Sequence, residues 1–119
     1  MILYAAADLL WASKIKGSAD ALGIPARPVR TQEMLAARLA DTTPTSFLVD
    51  LDKEDAIALI TSARAGAQML RIVAFGPHVA KDLFQAARDA GAHDVLTRGA
   101  LEHNMADVLI RLSNPPGSG

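Results

Sequence analysis

The groups best placed to do chemistry are three carboxylates, Asp8, Asp50 and Asp52. Asp50 and Asp52 end the run Thr45-Ser46-Phe47-Leu48-Val49-Asp50-Leu51-Asp52, which is uncharged until it reaches them. Asp8 follows another apolar run, Ile2 to Ala7. Acids at the ends of two apolar runs are a weak candidate for a magnesium site, since that ion takes oxygen ligands. Both Asp8 and Asp52 also stand where a helix would begin. There the side chain accepts from a free backbone N–H, and capping is the expected role of each. The three histidines, His78, His93 and His103, fall on separate elements without the i, i+4 spacing of paired metal ligands. His78 alone is expected at the same end of the sheet as Asp50. It reads as a solvated loop residue, because no nucleophilic Ser or Cys accompanies it. Ser13 and Ser46 lack a nucleophile-elbow motif. No phosphate-cradling glycine pattern occurs.

The elements that must hold these groups follow from periodicity. Residues 45–52, rich in β-formers and opened by a Pro44 turn, read as a strand buried on both faces, the kind found in the middle of a parallel sheet. Ile2 to Ala7 is a second such run. Helix spacing follows over Leu9 to Leu22, with Ala12, Ile15, Ala19 and Leu22 on one face; Trp11 is expected to pack. Ala26 to Arg30 is a short edge strand, where Pro28 and charge are tolerated. Gln32 to Ala40 is a helix capped by Thr31. A third helix is expected after Asp52, with Asp55 three residues on and Gly66 at its end. Leu70 to Phe75 is an apolar strand. Gly76-Pro77-His78 is a tight joint into a helix over Val79 to Ala90, whose stripe is Val79, Leu83, Ala86, Ala87 and Ala90. His93 to Thr97 is the last strand, and Ala100 to Leu112 one continuous helix. Five strands alternating with five helices predict an α/β domain with a parallel sheet. The domain is expected over 1–112, with 113–119 as a flexible Ser-Pro-Gly tail.

Composition removes several classes. At 119 residues the chain suits one domain. A net charge of -1 with scattered arginines argues against nucleic-acid binding, which favours a basic stripe. There is no cysteine, so disulfides and thiolate chemistry are excluded; a reducing cytoplasm fits. The first residues lack the basic flank of a signal peptide, and no apolar run approaches the ~20 residues that span a bilayer, so no membrane association is expected.

Two segments carry a family resemblance. Phe47-Leu48-Val49-Asp50-Leu51 resembles the segment of response-regulator receiver domains that ends in the phosphoacceptor aspartate. Gly91-Ala92-His93-Asp94-Val95-Leu96-Thr97-Arg98 resembles that family's Gly-Ala-x-Asp-Tyr-Leu-x-Lys. The resemblance implies a flavodoxin-like sheet of order 2-1-3-4-5 and a signalling role in a two-component system. It also makes Asp50 the phosphoacceptor equivalent and Arg98 and Gly76 the switch positions. The departures set the functional expectation. Ala6 and Ala7 stand where receivers place a metal-binding acid pair. Gly76 stands in place of a Ser or Thr hydroxyl, and Arg98-Gly99 replaces Lys-Pro. Without the acid pair, phosphoryl transfer loses much of its electrostatic clamp. The expected function is therefore a non-catalytic pseudo-receiver that binds a protein partner, with Arg98 pairing to Asp50 and no cofactor. A homodimer through the fourth helix, fifth strand and fifth helix is expected, with Leu101, Met105 and Leu109 as interface candidates. The alternatives are a phosphorylatable receiver with a relaxed magnesium site at Asp50, and a flavodoxin-like domain binding a small ligand between Ala6-Ala7-Asp8 and Asp50-Leu51-Asp52.

Overall fold

The structure, a computed structural model, describes residues 1–114. Five short apolar segments form one parallel sheet: β1 (Ile2–Ala5), β2 (Ala26–Pro28), β3 (Ser46–Asp50), β4 (Arg71–Gly76) and β5 (Asp94–Thr97). Their order across the sheet is β2-β1-β3-β4-β5. β3 lies near the centre, with Ser46 beside Arg71 and Asp50 beside Phe75 in its register with β4. Every residue of β1 and β3 is buried, as an all-parallel sheet covered on both faces requires.

The helices divide between those faces. One face takes α1 (Leu9–Ala21), α5 (Arg98–His103) and α6 (Met105–Ser113). Trp11, Ile15, Ala19, Leu101, Val108 and Leu109 from these helices meet Ile2, Tyr4, Leu48 and Phe75 from the strands. The other face takes α2 (Gln32–Asp41), α3 (Ala56–Gly66) and α4 (Lys81–Ala90). There Leu35, Leu59, Ile60 and Ala87 pack on Leu3, Phe47, Val49 and Ile72. Strands alternate their side chains between faces, so one apolar run feeds both cores. Thr45 and Ser46 hydroxyls both donate to the Leu112 carbonyl at 2.7 Å, fastening the end of α6 to the start of β3.

Several expectations are corrected. The continuous helix over Ala100–Leu112 is two helices broken at Asn104. The Asn104 amide Nδ2 and its backbone N–H both donate to the Ala100 carbonyl at 3.0 Å, and its backbone leaves the helical range (φ -117, ψ 24). A short polar side chain that bonds the main chain competes with helix continuation in this way. The break leaves Leu101 and Leu109 fully buried on the sheet, so neither can form the interaction surface assigned to it; Met105 is half-buried. α3 does not start at Asp52. Residues 51–55 make turns closed by Lys53 N–H to the Asp50 carbonyl and Ala56 N–H to the Lys53 carbonyl, and the helix begins at Ala56. Asp52 is thus no helix cap. α4 begins at Lys81 rather than Val79, which leaves Val79 74% and Leu83 39% exposed instead of in the core stripe. Ser113, placed in the tail by periodicity, ends α6; residues 115–119 of that tail lie outside those described.

Candidate functional site

The carboxyl ends of β1, β3 and β5 converge on Asp50. Its residue is wholly buried, and a buried carboxylate is costly unless hydrogen-bonded. Three contacts meet that requirement. Oδ2 accepts the Ala7 N–H at 3.0 Å, from the turn after β1. Oδ1 accepts the Asp52 N–H at 3.0 Å. Arg98, the first residue of α5, places Nη2 3.4 Å from the same Oδ1. That nitrogen also lies 2.5 Å from Asp52 Oδ2. One guanidinium therefore bridges two acids that stand two residues apart.

Local structure aims each part. Thr97 caps α5 by accepting the Ala100 N–H at 3.1 Å, which fixes the helix start and so the origin of the Arg98 side chain. Asp8 caps α1 through Oδ1, accepting the Trp11 N–H at 2.9 Å, so its carboxylate is turned toward α1. The same turn seats Trp11 against Phe75, ring centroids 5.0 Å apart, under the guanidinium of Arg98 at 5.7 Å and the ammonium of Lys14 at 5.0 Å. Both distances suit cation–π attraction. Lys14 also pairs with Glu102 of α5, tying the two helices across the site. Among the described residues, Arg98 Nε is buried without a hydrogen-bond partner.

Gly76 ends β4 beside these groups. A Cβ built there would lie 3.3 Å from both Leu51 Cβ and Phe84 Cε1. The position is packed tightly enough that a Ser or Thr would need its neighbours to give way. Its glycine reflects close packing as well as a missing hydroxyl.

The structure therefore brings Asp50, Asp52, Arg98 and Gly76 together and turns Asp8 aside. His78, His93 and His103 are exposed and lie apart from this cluster in the hydrogen-bond network. His93 sits at the opposite end of the sheet, where Nδ1 accepts the Ile72 N–H at 3.0 Å and Arg64 Nη2 stands 3.1 Å from the ring nitrogens. Burial, and then the Arg64 charge, push its imidazole below the ordinary value of 6.5. Sequence reasoning missed two contributors to the site. The Ala7 backbone N–H has no side-chain signature. Trp11 had one in principle: it is the chain's single tryptophan, three residues after a helix cap.

The parallel strand order with helices on both faces is the CheY-like flavodoxin fold, the fold of response-regulator receiver domains. Solved structures agree. The chain is similar to the receiver domain of NtrX from Brucella abortus at a TM-score of 0.81 and 18% identity, covering 94% of this chain and 97% of that one. A longer NtrX chain from the same organism matches at 0.77 and 20%, and this chain spans 25% of its length. The receiver domain of the Francisella response regulator 1452 matches at 0.77 and 16%, with 94% of each chain covered. A response regulator protein from Burkholderia pseudomallei, with a phosphorylated aspartic acid, calcium ion and citrate, matches at 0.71 and 17%, covering 96% of this chain and 74% of that one. No protein-family model and no curated protein sequence matches the chain. Among the described residues, no helix is long and apolar enough to cross a membrane.

Proposed function

We propose that this domain is a non-catalytic receiver-like signalling module that acts by binding another protein, independently of aspartyl phosphorylation. The observation that carries this reading is the Arg98 bridge. Phosphoryl transfer to Asp50 needs a free carboxylate oxygen and an ion to neutralise the incoming charge. Here both Asp50 oxygens accept N–H donors, and Asp52 is turned to the guanidinium. A divalent cation takes oxygen ligands and would replace these donors with like charge beside Arg98. With alanines at 6 and 7 adding no carboxylate, the residues present do not fit one.

The partner surface in this proposal is the side formed by α4, β5, α5 and α6, used by a protein partner or a second copy of the chain. Leu83 on α4 is exposed there, and Leu96 and Met105 are half-buried. Of the earlier interface candidates only Met105 remains available.

The test is incubation with magnesium and either acetyl phosphate or beryllofluoride, read by intact mass and by amide NMR. The expected result is an unchanged mass and an unchanged spectrum. A phosphoryl mass gain that disappears in Asp50→Asn would instead establish the second reading, a receiver with a relaxed site, which the phosphorylated Burkholderia relative keeps in view.

A further inference from the structure

The space left by small residues at positions 6, 7 and 12 is not filled. It forms a cleft of about 360 Å³ between the start of α1 and the carboxyl ends of β1 and β2, distinct from the Arg98 bridge. Tyr4, Ala7, Leu9, Ala12, Arg30 and Lys53 line it. Ligand pockets run from about 300 to 1,000 Å³ and combine apolar walls with a few polar groups. This one has both. Its walls are alanines, Pro28, Val29 and Leu9, and Leu9 is 81% exposed at the rim although it lies in a helix.

The polar groups point to a charge sign. Tyr4 is only 4% exposed as a residue, and among the described residues its hydroxyl makes no hydrogen bond but is not sealed from solvent, which leaves it a free donor. Arg30 is exposed and has no carboxylate within ion-pair distance among the described residues. Lys53 is committed to Asp55 at 2.9 Å, and Asp8 to the N–H of Trp11. The donors left over are one phenol and one guanidinium, and a guanidinium matches the two oxygens of a carboxylate or phosphate.

We propose that this cleft binds a small organic anion. Its apolar or aromatic body lies along Ala6, Ala12 and Leu9, and its carboxylate or phosphate is held by Arg30 with the Tyr4 hydroxyl as a second donor. The Ala7 backbone is shared between the cleft and the Asp50 cluster, so occupancy reports to the Arg98 bridge through that residue's N–H. The proposal stands whether or not Asp50 is ever phosphorylated.

The test uses benzoate and phenyl phosphate as probes, with neutral benzamide and inorganic phosphate as controls. Binding is measured by amide chemical shifts and by the rise in Tm, since a ligand of the folded state stabilises it. The expected result is saturable binding of the two aromatic anions, with shifts at residues 6–12 and 28–30. Both controls should be weaker by about tenfold or more. Arg30→Gln, at an exposed position, should weaken the anions about tenfold, and Tyr4→Phe should weaken them in the same direction. Ala12→Leu should abolish binding by filling the space. Two results would overturn the proposal: no saturation by either aromatic anion up to about 10 mM, or Arg30→Gln binding both as well as the native chain. Tighter binding of inorganic phosphate than of phenyl phosphate would overturn the apolar half of it.

Discussion

Replacing Arg98 with methionine separates the charge from the packing, because methionine keeps an apolar stem against Trp11. The lost interactions can be sized from their geometry. Removing one partner of a buried ion pair costs about 3–5 kcal/mol when the remaining charge is left bare. Asp50 is wholly buried but keeps two backbone donors at 3.0 Å, and the Arg98 contact is long at 3.4 Å. That places the Asp50 share at about 1 kcal/mol, below the roughly 1.5–3 kcal/mol typical of well-formed bonds to charged groups. The Asp52 pair is 40% exposed on the acid side and adds no more than about 0.5 kcal/mol after solvent screening. The cation–π contact, with Arg98 30% exposed, adds about 0.5 kcal/mol. The expected cost is therefore about 2 kcal/mol, or roughly 8 °C in Tm for a chain of this length. Urea unfolding followed by Trp11 fluorescence measures it, and the native emission should itself change when the cation leaves the ring. The decisive control is the Asp50→Asn background, where no buried charge remains to be stranded. There Arg98→Met should cost about half as much, a coupling of about 1 kcal/mol. An equal cost in both backgrounds would show that Arg98 acts on Asp52 and Trp11 alone, and the bridge would no longer explain why Asp50 is closed.

Two further outcomes are expected away from the site. Gly91 has φ +125, and a Cβ there would lie 2.9 Å from Arg64 Cγ. Arg64 is held by the Gln68, Leu70 and Gly91 carbonyls and cannot swing clear, so Gly91→Ala should lower stability by about 2 kcal/mol in urea unfolding. His93 titrates below 6.5 in the folded chain. As pH falls through 6.5 the unfolded state takes up a proton that the folded state refuses, so folding stability should drop from there down to the folded value. His93→Asn keeps an acceptor for the Ile72 N–H and should flatten that part of the stability–pH curve; an unchanged slope would assign it to carboxylates.

The sheet was legible because parallel strands buried on both faces leave short apolar runs, and turn residues separate them. Asp50 was legible for the same reason, being the acid that ends the run opened by the Pro44 turn. Helix starts were harder. Asp52 has the right type and place for a cap, but a guanidinium arriving from residue 98 competes for it, and no local pattern records that competitor. Asn104 is one polar residue in an apolar periodicity, too small a signal to divide a helix. The interface expected from the resemblance put Leu101 and Leu109 on the outside, although both lie on the sheet.

The substitutions around Asp50 form one physical set. Alanines at 6 and 7 remove the negative charge that would hold an ion beside the carboxylate. An internal cation then becomes the means of keeping a buried acid charged and satisfied. Arginine suits this better than lysine, because its planar group lies over Trp11 while one nitrogen, Nη2, reaches both Asp50 and Asp52. Close packing at Gly76 leaves little room for a hydroxyl side chain to follow a new phosphoryl group. Restoring one acid at position 6 or 7 would therefore set a second negative charge against Asp50 without displacing Arg98. On the proposed function, ion binding here would require changing the acids and the arginine together, so the Arg98 bridge is an alternative stable arrangement of the pocket rather than a site lacking one part.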